Sequence, residues 1–222
     1  MKKTFLFVPF LLTIHILPAQ TNLPVDRTTG RPYQATRGED IQGSEFLYNN
    51  WAPAEVIFID GQTIPNIPVK FDVYKNSFYY KNNDTVFEFS RPIRQVILYP
   101  PGTDTLSKFV IQRDLSFKKW KGAGKYIQVL CTGTNSLVKY YYKSIGESFE
   151  YGNGRPSQVF KDESELYLIT PGGPVRIKNI KKNAKEAFGS KWKAVEAYLK
   201  TNHLSLKSLN DLVQAVQYLN TL

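Results

Sequence analysis

Apolar and polar residues alternate along much of the chain from about residue 43 onwards. Val69, Phe71 and Val73 share one side of an extended backbone, and Lys70 and Asp72 point to the other. This period of two is typical of a strand with one buried face. Short turn sequences separate the alternating stretches at intervals of roughly 8 to 12 residues, a spacing typical of antiparallel sheets.

The alternation predicts a series of short strands joined by turns. Helical stretches of 10–15 residues do not alternate with them, which argues against a parallel α/β sheet. The predicted strands cover residues 55–59, 69–74, 77–81, 85–89, 94–99, 108–112, 125–132, 137–143, 157–160, 165–169 and 175–178. The acidic stretch 162–165 is predicted to be a solvated turn between two of these strands, although it could also gather a cation.

The period changes to that of a helix near the C-terminus. Predicted helices cover 180–188, 191–201 and a last segment beginning at residue 209. Gly189 is a plausible left-handed terminator, Ser190 a candidate cap, and Ser208 with Asp211 resembles a capping box. The predicted fold is α+β, mainly antiparallel β (a meander, barrel-like or sandwich), with a C-terminal cluster of three short helices.

The first nineteen residues have the pattern of a secretory signal peptide. Lys2 and Lys3 precede a short apolar run, and Ala19 precedes Gln20 at the expected cleavage point. The run is too short for a membrane-spanning helix, which needs about 20 residues. The predicted organisation is a signal peptide over 1–19, a flexible segment over 20–42, a β domain over 43–178 and a helical subdomain over 179–222 packed on it.

Export limits the chemistry that the mature chain can perform. It would retain His203 and Cys131 as its only histidine and cysteine. Zinc sites need about four nitrogen or sulfur ligands, so no metal and no cofactor is predicted. Cys131 is interpreted as a buried apolar residue in a strand, and His203 as an exposed residue between two helices.

Positive charge is concentrated near the C-terminus. The formal net charge is +10, and residues 176–222 carry nine basic and three acidic side chains. A localised basic surface attracts anionic polymers or anionic lipid.

Two lysine-rich stretches are candidate binding sites. The first contains Trp120, which could stack on a sugar or base if exposed, or could fold back on the core. The second is a stripe on one helix face, which could equally be an ordinary solvated face. The candidate binding residues are Lys118, Lys119, Trp120, Lys121, Lys178, Lys181, Lys182 and Lys185. On a strand, Tyr140 and Tyr142 share one side, which is either core or surface.

Three stretches resemble a group of uncharacterised exported proteins of the Bacteroidota with a lysine-rich helical C-terminus. They are 43–51, the hairpin 58–61 with 69–72, and the tail from 162 to 220. The resemblance rests on packing and turn motifs, and it implies no activity, cofactor or catalytic residue. The sequence Pro171-Gly172-Gly173-Pro174 departs from the plainer polar turn of that group.

These features favour an exported, non-enzymatic binding or structural protein of the cell envelope, periplasmic or extracellular. The expected partner is an anionic polymer, the envelope surface or another envelope protein, without specific nucleic-acid recognition and without a transmembrane segment. The alternative is a carboxylate-based glycan hydrolase, which would place two carboxylates about 5 to 10 Å apart in a concave pocket. A purely structural assembly component is a third hypothesis.

Overall fold

The computed structural model describes residues 30–32, 41–100, 107–111, 120–149, 156–177 and 185–222. Within these residues, two α-helices follow a series of β-strands. The elements are β1 (Gly30–Pro32), β2 (Ala52–Phe58), β3 (Thr63–Asp72), β4 (Ser77–Asn82), β5 (Thr85–Phe89), β6 (Ile93–Leu98), β7 (Ser107–Ile111), β8 (Tyr126–Cys131), β9 (Ser136–Ser148), β10 (Ser157–Thr170), β11 (Gly173–Ile177), α1 (Trp192–Thr201) and α2 (Leu209–Leu219).

The strands pair antiparallel in the order β1–β5–β4–β3–β2–β6–β7–β8–β9–β10–β11. The prediction of a mainly antiparallel β fold is therefore confirmed. Most predicted strands coincide with observed strands to within a few residues, because the alternation that predicted them is the alternation of burial. In β2, for example, Ala52, Ala54, Val56 and Phe58 are buried and the residues between them are not.

The acidic stretch 162–165 lies inside β10, so the prediction of a turn there is wrong. Acidic residues are depleted in strands, which favoured the turn. Continuous pairing with β9 overrides that preference, since it runs from Ser157 opposite Ser148 to Ile169 opposite Ser136. The strand also places the side chains of Glu163 and Glu165 on the same face.

Part of the stretch predicted to be flexible is ordered by pairing with distant strands. Gly30–Pro32 form β1 against β5, and Gln42 exchanges two backbone hydrogen bonds with β10, at 2.8 Å to the Gln158 oxygen and 3.0 Å from the Phe160 nitrogen. The sequence does not predict these pairings, because β1 has three residues and the pairing at Gln42 has one, and an alternation of apolar and polar residues cannot be recognised over so short a stretch.

Residues 42–47 close the sheet into a ring. Beyond Gln42, the amide of Leu47 donates to the Phe71 oxygen and the amide of Val73 donates to the Glu45 oxygen, each at 2.9 Å. The segment thus connects β10 to the end of β3, which are otherwise joined only through β2, β6, β7, β8 and β9. Gly43 has a φ of +94° between the two pairings, a backbone conformation that favours glycine.

Aromatic side chains fill the interior of this ring. The rings of Phe71 and Phe78 stack at 4.4 Å, and Phe71 contacts Phe109 at 5.1 Å. Phe78 meets Tyr126 at 4.8 Å, although their strands lie far apart in the pairing order. Because a buried aromatic side chain typically removes roughly 150–250 Å² of surface from water, such a cluster supplies much of the apolar burial that holds the strands together.

The C-terminal cluster of three helices is not confirmed. Residues 185–188 are helical, and the predicted start of that helix lies outside the described residues. Gly189 is left-handed, as predicted, with a φ of +55°. A 3₁₀ turn over Gly189–Lys191 leads directly into α1, and Ser190 caps nothing there. Ser208 does cap α2, since its side chain accepts a hydrogen bond from the Asp211 amide.

The helices cover one face of β9 and β10. Val195 and Leu199 of α1 pack with Leu212 and Val216 of α2 in a cluster that includes Leu168 of β10. Asn220, which follows α2, hydrogen-bonds the backbone of Asn135 in the β8–β9 turn through both its oxygen, at 2.8 Å, and its nitrogen, at 2.9 Å. The opposite face of β9 and β10 carries Tyr140 and Tyr167 in a separate cluster. No helix within the described ranges is long and apolar enough to cross a bilayer.

Candidate functional site

The structure describes three of the eight residues that the sequence singled out for binding. The others (Lys118, Lys119, Lys178, Lys181 and Lys182) and the cleavage residues Ala19 and Gln20 lie outside the described residues. Lys185 is exposed on a helical turn, whereas Trp120 and Lys121 lie over the outer face of β9 and β10. His203 is exposed between α1 and α2, and Cys131 is buried, as the sequence indicated.

Trp120 is not a surface platform. Its side chain is buried among the tyrosines of the outer face and meets the Tyr167 ring at 4.8 Å. Gly122 makes this position possible, because a Cβ at residue 122 would lie 2.5 Å from the indole ring. The ring folds back on the core, which is one of the two interpretations that the sequence left open, and it therefore anchors the loop that carries Lys121.

Lys121 belongs to a polar network around one buried carboxylate. Its ammonium lies 2.9 Å from Glu165, whose side chain is 1% exposed. Arg176 of β11 reaches the same carboxylate at 2.6 Å. The hydroxyls of Tyr167, at 2.5 Å, and Tyr142, at 3.3 Å, also donate to it. Four donors therefore satisfy a single anion, which is what allows it to be buried.

The network keeps Glu165 ionised. Burial raises the pKa of this carboxyl, but the hydrogen bonds from Tyr167 and Lys121 and the charge of Arg176 outweigh burial and leave the pKa below its ordinary value. Burial and the neighbouring carboxylate raise the pKa of Tyr167 to about 12, so this phenol stays protonated and its hydroxyl donates a hydrogen bond to Glu165. The carboxylate is therefore already neutralised by the cations around it.

A cleft of about 490 Å³ opens where β10 continues past the end of β11. Three of its side chains are cationic, namely Lys139, Arg176 and Lys207, and one is acidic, namely Glu165. The full lining is Lys139, Ser164, Glu165, Leu166, Arg176, Ile177, Lys207 and Leu209. We call this the basic cleft.

Two of its cations have no acidic partner within the described part of the chain. Lys139 is half-buried on the strand side that also carries Leu137 and Tyr141, and its ammonium lies 4.5 Å from the Tyr141 ring centre. Burial lowers the pKa of Lys139 below its ordinary value. Among the described residues no carboxylate lies within 4.0 Å of Lys139 or Lys207. A half-buried ammonium without a counter-ion favours an anion supplied from outside.

The backbone adds to the positive potential. Leu209 begins α2 and lines the cleft, so the positive end of the helix dipole lies at its wall, where the acidic Asp211 in the first turn partly offsets it. Ile177 is also a lining residue, and Lys178 of the predicted basic stripe follows it directly in sequence.

A second cleft, of about 770 Å³, lies at the closing segment 42–47 and is lined by Lys143 and Asp162 together with aromatic and amide side chains. Each of the two clefts has one acidic lining residue among the described residues. No group of three or more potential metal-ligating side chains occurs within the described ranges.

Lys139, Glu165, Arg176 and Lys207 are not among the binding residues that the sequence predicted. A usable signal existed for Lys139, because its position in the alternation falls between Leu137 and Tyr141 on the inward phase of β9. A charged residue on the buried face of a strand needs a partner of opposite charge or has a function. The other three residues come from elements whose proximity is decided by the fold.

Comparison with protein-family models, with curated proteins and with solved structures finds no match to this chain.

Proposed function

We propose that this protein is a non-enzymatic binding protein whose basic cleft holds anionic groups of a larger ligand. The observation that carries the proposal is the charge arrangement of the cleft. Arg176 is already paired with Glu165, whereas Lys139 and Lys207 have no acidic partner among the described residues. Two ammonium groups that line one cleft and have no acidic partner among the described residues are suited to a phosphate, sulfate or carboxylate.

The ligand we propose is an anionic polymer or the anionic surface of a cell envelope. Residues 176–222 carry a surplus of positive charge, and four residues of this range line the cleft, namely Arg176, Ile177, Lys207 and Leu209. A polymer with many negative charges can therefore contact several of these positive charges at once. The proposal includes export of the protein, because the N-terminal pattern of Lys2, Lys3 and Ala19-Gln20 is that of a cleaved leader.

The alternative is a glycan hydrolase that acts through two carboxylates. Such an enzyme needs two acidic side chains in one cleft. Neither cleft provides such a pair among the described residues. Glu163 and Glu165 share a face, but the pKa of each is held below its ordinary value, Glu163 by a hydrogen bond from Ser144 and Glu165 by the network described above. A general acid needs a raised pKa.

Binding to immobilised dextran sulfate over a series of salt concentrations tests the proposal. Protein recovered after export is used, and its first residue is expected to be Gln20; a retained leader would contradict export. Retention should fall steeply with salt, because bound counter-ions are released when the cations of the cleft meet the polymer. Lys139→Gln with Lys207→Gln should weaken binding by about tenfold or more at low salt.

The matched control is Lys125→Gln with Lys193→Gln. It removes the same charge from two exposed lysines that do not line the cleft. A general charge effect would weaken both double variants equally, and that result would contradict a site at the cleft.

A further inference from the structure

We infer that the second cleft is a binding site for an uncharged oligosaccharide. The inference is independent of the anion-binding proposal, since the two clefts have different linings. The glycan cleft, as we call it, is lined by Gly43, Ser44, Phe46, Leu47, Tyr48, Asn49, Asn50, Pro100, Lys143, Phe160 and Asp162. Its volume of about 770 Å³ lies in the range of pockets that hold small molecules, roughly 300–1,000 Å³.

The glycan cleft is electrically neutral, in contrast to the basic cleft. Lys143 and Asp162 are its only charged lining residues among those described, and they form an ion pair at 2.7 Å. The Lys143 side chain is 6% exposed and also donates to the Ser44 oxygen at 2.5 Å. Its ammonium is thus occupied in holding the closing segment against β9 and β10, and it leaves no free cation for an anionic ligand.

The polar groups that remain available match hydroxyl groups. Asn49 and Asn50 are exposed, and their carboxamides have no hydrogen-bond partner among the described residues. Each carboxamide both donates and accepts, as a sugar hydroxyl does. The Asp162 side chain is 86% exposed and keeps acceptor capacity beside its bond to Lys143.

The apolar part of the lining matches the carbon faces of sugar rings. Phe46, Tyr48 and Phe160 are half-buried lining residues, and the Lys70 ammonium lies 4.7 Å from the centre of the Phe46 ring. Phe160 is braced by Tyr74 at 5.4 Å, and Phe46 by Tyr79 at 6.2 Å. Supported aromatic side chains with a few directed polar groups are the usual construction of a small-molecule site.

The test is titration calorimetry of the full chain with neutral oligosaccharides, using β-1,4-gluco-, β-1,4-xylo-, α-1,4-gluco-, manno- and N-acetylchito-oligomers. At least one should bind, and Asn49→Ala with Asn50→Ala should raise its Kd by about tenfold through the loss of hydrogen bonds. The control, Gln214→Ala with Gln217→Ala, removes two exposed carboxamides from α2 and should leave the Kd unchanged.

Three results would overturn the inference. They are binding of no member of the series at millimolar concentration, equal binding by the asparagine variant and the wild type, and binding that is lost in Lys139→Gln with Lys207→Gln instead. Retention on dextran sulfate separates this inference from the proposed function, because the asparagine variant should be retained like the wild type. Unchanged melting temperatures show that the variants are folded.

Discussion

Asp72 is a buried acidic residue whose ionisation opposes folding. It is fully buried at the end of β3, where it pairs with Phe46 of the closing segment. One carboxylate oxygen accepts from the Lys75 amide at 2.7 Å, and the other has no hydrogen-bond partner within the described residues. Burial raises the pKa of Asp72 to about 6 from 3.8, and the Lys75 amide only partly offsets this.

The raised pKa has a definite consequence for stability. Because the unfolded chain ionises at the lower pKa, the contribution of Asp72 to the free energy of unfolding should fall as pH rises from about 4 to about 6 and then level off. Asp72→Asn keeps the acceptor for Lys75 and removes the charge. It should be more stable than the wild type at pH 7 by on the order of 2 kcal/mol, with the difference vanishing below pH 4.

Urea denaturation at pH 4 and pH 7 measures this difference. A variant that is equally destabilised at both pH values would show that the carboxylate of Asp72 has a required partner instead.

At the scale of elements, Glu165 joins three separate pieces of the chain. It lies on β10, and its partners come from the 120–125 loop, from β9 and from β11. Sequence reasoning interpreted the residue as part of a turn, because only the local composition was visible. In the folded chain the Glu165 carboxylate forms ion pairs with Lys121 and Arg176. Arg176 also lines the basic cleft, so Glu165 neutralises one of the cations of that cleft.

Glu165→Gln should therefore change stability and anion binding in opposite directions. Loss of the buried anion leaves two cations without their acceptor, and the free energy of unfolding should fall by about 1–3 kcal/mol. Retention on dextran sulfate should rise, because Arg176 is released and the cleft gains a positive charge.

Glu163→Gln is the control for this pair of effects. It makes the same change of charge two residues away on the same face of β10, at an exposed carboxylate that does not line the basic cleft. We expect it to change stability little and to raise retention less than Glu165→Gln does. Equal retention of the two variants would mean that net charge alone, without the cleft, governs binding.

At the scale of the whole molecule, residues 42–47 decide whether the sheet is open or closed. Four backbone hydrogen bonds join them to β3 and β10, and the Lys143 ammonium adds a fifth contact at Ser44. The same segment forms a wall of the glycan cleft, so the cleft forms when the ring closes.

A pair of truncations measures the contribution of this segment. A chain that begins at residue 41 loses β1 and retains the closing segment, and it should stay folded with a modest loss of stability. A chain that begins at residue 48 loses the four bonds as well, and should be less stable by a further 4 kcal/mol or so, at about 1 kcal/mol per bond. Urea denaturation of both chains gives the difference directly, and equal stabilities would show that closure contributes nothing.

Much of the secondary structure was accessible from the sequence. The alternation around Val69, Phe71 and Val73 and the Ser208 cap of α2 depend on neighbours within a few residues, and the structure confirms both. The errors arose where distant partners overrode local preference, as in the acidic stretch of β10. Neither the ring closure through Gln42 nor the approach of Phe78 to Tyr126 has a local signal.

The sequence by itself determined the antiparallel β class, the basic C-terminal segment and the scarcity of histidine and cysteine, because these depend on composition and short-range periodicity. The tertiary structure alone decided that Trp120 is buried, that Glu165 is neutralised, and that Lys139, Arg176 and Lys207 line one cleft. Charges and rings act on one another over a few ångströms of space, and residues as far apart in sequence as Lys139 and Lys207 come to line one cleft only when the sheet and helices pack together.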